Sequence, residues 1–91
     1  MMIYKVLMCG NRFRRFIDGS PSSVGFYVTR FVDAANPDAA GSSAVEIISA
    51  HLHADRAFTE RSSVNIDSIE AAPENKMPPI QPGFAWFHED D

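Results

Sequence analysis

Three segments of the chain, residues 2–9, 25–34 and 83–87, are rich in apolar and aromatic residues with few polar interruptions, which predicts three β-strands. Successive side chains of a strand point to opposite faces of a sheet. Large apolar side chains occur on both faces of each predicted strand. Phe26 falls on one face of the second strand, for example, whereas Tyr27 and Phe31 fall on the other. We therefore expect a sheet with two apolar faces.

Two further segments predict strands through a less regular pattern. Gly10-Asn11 is a turn signal, so residues 12–17 are expected to pair back against the first strand. Residues 18–23 combine Asp, Gly, Ser and Pro, which is the composition of a loop. In residues 64–71 the apolar alternation shifts phase, which predicts a strand with a bulge near Asp67-Ser68.

Residues 37–53 predict the single convincing helix. Asn36 is suited to accept a backbone hydrogen bond as the N-cap, and Asp38 would face the positive end of the helix dipole. Positions spaced by three and four residues form one stripe expected to lie on the sheet: Ala40, Ala44, Ile47, Ile48, His51 and Leu52. Gly41 lies in the helix interior, where glycine costs up to about 1 kcal/mol. Residues 54–61 are either a frayed continuation of the helix or a loop anchored by Phe58.

These elements predict an α+β fold with two layers, in which one main helix packs on a four- or five-stranded, mostly antiparallel sheet. Residues 1–91 fit a single domain. Within it, residues 73–82 contain four prolines and predict an extended connection, and residues 89–91 form an acidic end. One helix covers one face of the sheet, so the second face is left either for this proline-rich segment or for a partner.

Charge is distributed unevenly along the 91 residues, which carry a formal net charge of −4. Residues 1–30 have a formal charge of +4 and residues 31–91 a formal charge of −8. Neither an apolar run long enough to span a bilayer nor a basic leader followed by such a run is present, so we expect no membrane association. The chain contains one cysteine, Cys9, which cannot form an internal disulfide. We therefore expect a soluble, cytoplasmic protein.

The sequence offers little for catalysis or cofactor binding. His51 and His53 would point about 200° apart on a helix and cannot share a metal ion. Nothing near Cys9 in sequence supplies a base, so a packed cysteine is the favoured interpretation. The glycines match no phosphate-binding motif. We expect no catalytic residues, no metal and no cofactor.

The basic cluster Arg12, Phe13, Arg14 and Arg15 is the most distinctive polar feature. Guanidinium groups contact phosphates and aromatic rings stack on unpaired bases, so these four residues are nucleic-acid candidates. The favoured alternative is an edge strand whose arginines face solvent while Phe13 and Phe16 are packed. The acidic remainder of the chain would repel a polyanion, so nucleic acid is the less favoured partner.

Four residues are candidates for contact with a protein: Tyr27, Thr29, Phe31 and Trp86. The first three lie on the strand face opposite Phe26, which either forms a contact patch or is covered by residues 73–82. Arg30 lies on the helix side, and we expect its stem to cross apolar surface with its head in water rather than to grip a carboxylate.

The run Gly25-Phe26-Tyr27-Val28-Thr29-Arg30, the following helix and the later Gly83-Phe84-Ala85-Trp86 resemble a group of small uncharacterised bacterial proteins. These share a Gly-Phe-Tyr-x-Thr-Arg strand, a helix and a C-terminal Gly-Phe-x-aromatic segment. The resemblance implies the fold and no activity, and Gly41 and the arginine cluster depart from the pattern.

Together these observations predict a small non-enzymatic binding protein that associates through a sheet face or edge, either as a homodimer or with a protein partner. An inhibitor or immunity-type protein, acting on a cationic partner through its carboxylates, is a narrower form of this hypothesis. The alternative is a nucleic-acid-binding regulator that uses the basic cluster, and an enzyme ranks third.

Overall fold

A computed structural model of the chain describes residues 2–73 and 83–89. Those residues form four strands and one helix: β1 (Met2–Ile17), β2 (Ser20–Ala34), α1 (Pro37–Ala54), β3 (Ser63–Ala72) and β4 (Ala85–His88). The strands make one sheet in the order β3-β1-β2-β4, and every neighbouring pair is antiparallel. The helix packs against β1, β2 and β3. The predicted α+β class, with one helix on a four-stranded antiparallel sheet, is confirmed.

The predicted turn at Gly10-Asn11 is wrong, because β1 continues without a break to Ile17. The pairing of β1 with β2 shifts between Gly10 and Phe13, which marks a β-bulge. Gly10 is buried, and a Cβ at this position would overlap the ring of Phe26 on the neighbouring strand. The glycine therefore makes room for an aromatic ring, and residues 12–17 extend β1 rather than forming a strand of their own.

The chain reverses direction at Asp18 and Gly19 instead. Both residues have positive φ, 52° and 81°, as a two-residue type I′ hairpin turn requires. Residues 20–23, predicted as loop, pair with β1 and belong to β2. The loop prediction failed because serine and proline here continue a strand in which Pro21 lies opposite Phe16.

The predicted bulge in the third strand is confirmed. Leu7 pairs with Ser68 and Met8 pairs with Ile66, so Asp67 is the extra residue of β3. The change of phase in the apolar pattern therefore reports a real irregularity of the backbone.

The helix begins as predicted, because the side-chain oxygen of Asn36 accepts a hydrogen bond from the Ala39 N–H at 2.8 Å. Its buried side consists of Ala40, Gly41, Ala44, Ile48 and Leu52. Ile47 is 41 % exposed and His51 is also exposed, so their place in the predicted stripe is wrong. The stripe is rotated towards Gly41, where a Cβ would come within 2.9 Å of the Ile66 side chain. Glycine thus allows the helix to approach the sheet closely.

After the helix, residues 55–62 form a loop anchored by Phe58, the second of the two predicted alternatives. The Phe58 ring lies 5.0 Å from that of Phe13 in the core and stacks on His53 at 4.2 Å. Ala57 is buried, and its carbonyl accepts a hydrogen bond from the Arg14 N–H at 2.8 Å. The loop therefore ties the end of the helix to β1 beyond its bulge.

The last strand, β4, pairs with β2 along residues 24–27 and begins two residues later than predicted. Most of the predicted proline-rich connection, residues 74–82, and two residues of the acidic end lie outside the described residues. Within the described part of the chain, no helix is long and apolar enough to cross a membrane.

Candidate functional site

The face of the sheet opposite α1 carries a partly exposed, mostly apolar patch. Its members are Leu7 and Cys9 on β1, Tyr27 and Thr29 on β2, and Phe87 on β4, hereafter the Tyr27 patch. Tyr27 is 49 % exposed and its ring lies 5.5 Å from that of Phe87. The other four are half-buried. This face is not uniformly open, because Ile3 at its far end is only 6 % exposed.

The structure brings three of the four predicted contact residues together. Tyr27, Thr29 and Phe31 share the face opposite the helix, and Phe31 is half-buried there. Trp86 lies on the other side, because it pairs with Phe26 and its ring packs on that of Phe26 at 5.2 Å. Trp86 therefore does not belong to the same face as the other three candidates.

Charged residues flank this face at the end of β1 away from the bulge. Lys5 pairs with Glu70 of β3 on one side and with Phe31 of β2 on the other. Asp33 lies two residues further along β2, and Lys5, Asp33 and Glu70 are all exposed. One end of the face thus presents charges of both signs.

A second candidate site is a cavity of about 750 Å³ at the bulged end of the hairpin, hereafter the arginine pocket. Its lining combines basic, hydroxyl, apolar and acidic side chains: Arg12, Phe13, Arg14, Pro21, Ser22, Ser23, Thr59, Arg61 and Glu89. The three arginines are exposed. The polar contacts formed by Arg12 and Arg61 use their backbone atoms, which leaves their guanidinium groups available in the described part of the chain.

Arg12 has a φ of 60°, a left-handed conformation that is uncommon for a residue with a side chain. Its N–H donates to Glu89 Oε1 at 2.8 Å, and its carbonyl accepts from the Thr59 and Ser62 hydroxyls, each at 2.8 Å. The Ser23 hydroxyl donates to the same Glu89 oxygen at 3.1 Å. A conformation of this kind costs on the order of 1–3 kcal/mol and persists only when its surroundings hold it in place. Here two segments distant in sequence do so, the loop after α1 and the residue that follows β4.

The nucleic-acid candidates do not form one binding surface. Phe13 is 1 % exposed and packs on Phe26 at 5.1 Å, so it cannot stack on a base. Arg15 lies over the Trp86 ring at 4.6 Å, outside the pocket that Arg12 and Arg14 line. The expectation that Phe16 is packed is wrong, because that side chain is 68 % exposed.

Arg30 is more deeply buried than expected, with an exposure of 7 %. Its guanidinium donates to the Thr29 carbonyl at 2.9 Å and lies 5.5 Å from the centre of the Phe84 ring. Burial lowers the pKa of this group, because desolvation disfavours the charged form. The prediction that its head lies in water is therefore wrong.

Sequence reasoning missed Arg61, Thr59 and Glu89 as members of the arginine pocket. Glu89 lies 77 positions from Arg12, and no local motif reports a contact over that separation. No protein-family model, curated protein or solved structure matches the chain. The resemblance to small bacterial proteins therefore stays a prediction, and function has to be argued from the two sites themselves.

Proposed function

We propose that this protein is a non-enzymatic binding domain of the cytoplasm that forms a homodimer through the sheet face opposite its helix. The observation that carries the proposal is the Tyr27 patch, in which an aromatic pair lies beside Leu7 and Cys9 on a face that α1 does not cover. Exposed apolar patches of this kind commonly mark interfaces between proteins.

The pairing between β1 and β2 makes this face complementary to itself. Cys9 lies beside Tyr27, and Leu7 lies beside Thr29. In the proposed dimer, the twofold axis lies between the two stacked sheets, parallel to the strands and midway between β1 and β2. Each β1 residue of one copy then lies over the residue of β2 in the other copy that is equivalent to its own pairing partner. Tyr27 of each copy then covers Cys9 of the other.

Charge supports a second copy as the occupant. The same axis places Lys5 over the β2 segment of the other copy that contains Phe31 and Asp33. Each interface then contains two contacts between opposite charges at its rim, which contribute more to register and orientation than to affinity. A partner of a single charge sign would leave part of this rim unmatched.

The inhibitor form of the hypothesis has weaker support. Glu89 is engaged with the Arg12 N–H and the Ser23 hydroxyl. A cationic partner would have to replace both hydrogen bonds before it could use this carboxylate.

The test is the mass of the protein in solution, measured by light scattering and sedimentation from about 10 µM to 1 mM. We expect the wild type to approach twice the chain mass of 10.1 kDa and Tyr27→Glu to remain monomeric, because a buried carboxylate without a partner is costly. Ile47→Glu is the matched control, since Ile47 is 41 % exposed but lies on α1. This control should dimerise like the wild type.

Cys9 provides a second measurement, since it is the only cysteine in the chain. Two sheets packed about 10 Å apart would bring the two Cys9 residues within reach of a short bis-maleimide. Cys9→Ser/Ser42→Cys moves the thiol to the exposed side of the helix and should not cross-link. A wild type that stays at 10.1 kDa at every concentration, with Cys9 equally reactive throughout, would exclude the homodimer.

A further inference from the structure

We propose that the arginine pocket is a binding site for a phosphate monoester, a function separate from dimerisation through the Tyr27 patch. The cavity has a volume of about 750 Å³. Pockets of roughly 300–1,000 Å³ are the size that small molecules occupy in proteins.

Three arginines, Arg12, Arg14 and Arg61, line the pocket, and Glu89 is the only acidic residue among its described lining residues. The excess of two positive charges matches a phosphate monoester, which carries about −1.5 to −2 at neutral pH. Guanidinium is also the side chain best suited to phosphate, because its planar donors form paired hydrogen bonds.

Donors of the pocket already bind a carboxylate oxygen. One oxygen of Glu89 accepts hydrogen bonds from the Arg12 N–H at 2.8 Å and from the Ser23 hydroxyl at 3.1 Å. The backbone and hydroxyl donors of the site therefore converge on an oxyanion. A bound phosphate would use the guanidiniums, which Glu89 does not engage in the described part of the chain.

The backbone of Arg12, which lines the pocket, is strained. Its left-handed conformation at the β-bulge is held by Glu89, Thr59 and Ser62. Backbone strain that is maintained by several contacts clusters at functional sites. The bulge turns β1 at the point where the arginine cluster begins.

A discrete phosphate fits the pocket better than a nucleic acid. Phe13 of the cluster is buried and Arg15 lies over Trp86, so no series of aromatic rings and guanidiniums follows a polymer backbone. The formal net charge of −4 also opposes an extended polyanion.

The experiment is calorimetric titration of the full chain with phenyl phosphate and with inorganic phosphate at low ionic strength. We expect saturable binding of phenyl phosphate, and the inorganic arm shows whether the phosphate group alone is sufficient. Arg12→Asn should weaken binding at least about tenfold, since asparagine tolerates positive φ but carries no charge.

Arg56→Asn is the matched control. Arg56 also has positive φ, 55°, and the substitution removes the same charge, but Arg56 does not line the pocket. This variant should bind within about twofold of the wild type, because exposed charges contribute little at a distance. Glu89→Gln should tighten binding, since it removes the negative charge that the described lining residues contribute to the site.

Three results would overturn the proposal: no heat from either phosphate probe at about 10 mM, equal weakening by Arg12→Asn and Arg56→Asn, or binding of a thymidine decanucleotide alone. Either of the first two results would exclude a specific phosphate-binding site. The third would show that the basic residues bind single-stranded nucleic acid instead. Tyr27→Glu should bind phenyl phosphate normally, so the outcome does not depend on the homodimer.

Discussion

Gly10 acts through the side chain that it lacks. It lies in the middle of β1, is buried, and faces the ring of Phe26 on β2. Phe26 is fully buried and its ring contacts those of Phe13, Phe84 and Trp86. A single hydrogen at Gly10 therefore determines where the central ring of this aromatic group lies.

Gly10→Ala should lower the free energy of unfolding by about 1–3 kcal/mol, the usual cost of an overpacked core. For a domain of this size that is a fall in Tm of roughly 4–8 °C per kcal/mol, measurable by circular dichroism. Gly83→Ala is the control, because its added Cβ would meet no atom of the described residues within 4 Å, apart from its chain neighbours. It should stay within about 0.5 kcal/mol of the wild type, and equal losses in the two variants would contradict the packing argument.

At the scale of the secondary-structure elements, the helix depends on its N-cap. Asn36 has extended backbone angles and its side chain accepts the Ala39 N–H. The Ala39 N–H is one of the four N–H groups at the start of a helix that have no acceptor within the helix. The Asn36 side chain therefore provides an acceptor for a backbone donor that the helix leaves without one.

Asn36→Ala should therefore reduce stability by about 1 kcal/mol, whereas Asn36→Asp should retain wild-type stability. Chemical denaturation measures both, with the midpoint shifting and the slope unchanged for a local effect. If the aspartate variant lost as much as the alanine variant, capping would not be the cause.

The cap and the bulge of β3 were predictable because their signals are local. Asn36 and Pro37 adjoin each other in sequence, and the change of phase near Asp67 is visible within eight residues. The continuation of β1 through Gly10 was not predictable. The strand continues through Gly10 because the ring of Phe26 occupies the space beside this glycine. Phe26 lies 16 positions away in sequence and reaches Gly10 only when the hairpin has formed.

At the scale of the whole molecule, the loop of residues 55–62 joins the helix to the far half of the hairpin. Phe58 lies between His53 of the helix and Phe13 of β1. The same loop supplies Thr59 and Ser62 to the Arg12 carbonyl. The loop of residues 55–62 therefore stabilises the core through the packing of Phe58 and the arginine pocket through its hydrogen bonds to Arg12.

Phe58→Ala should cost at most roughly 3–5 kcal/mol, the range for a fully buried phenylalanine, because Phe58 is half-buried. Because the loop bonds to β1, the Arg14 N–H should also exchange faster with deuterium. Phe16→Ala is the control, since that phenylalanine is 68 % exposed, and should change stability by less than about 0.5 kcal/mol. Unchanged exchange at Arg14 in Phe58→Ala would show that the loop does not hold the hairpin.

The arginine pocket illustrates the limit of reasoning from sequence at this scale. Arg12 and Arg14 stand out as a basic cluster, but Arg61 and Glu89 carry no signal that connects them to it. The fold joins them only because β4 ends beside Ser23 and the loop after α1 returns to β1. The Tyr27 patch was easier to anticipate, since alternation along one strand is sufficient to define a face.

The turn at Asp18 and Gly19 determines which side chains each face of the hairpin presents. Two residues at positive φ fix the pairing register of β1 with β2. Because side chains alternate between the two faces of a sheet, the register determines which residues of β2 face the helix and which face away from it. One amino acid inserted at this tip would slide β2 by a single position against β1. Tyr27 would then be directed inward and Phe26 outward, so which residues form the exposed apolar face depends on the length of this two-residue turn.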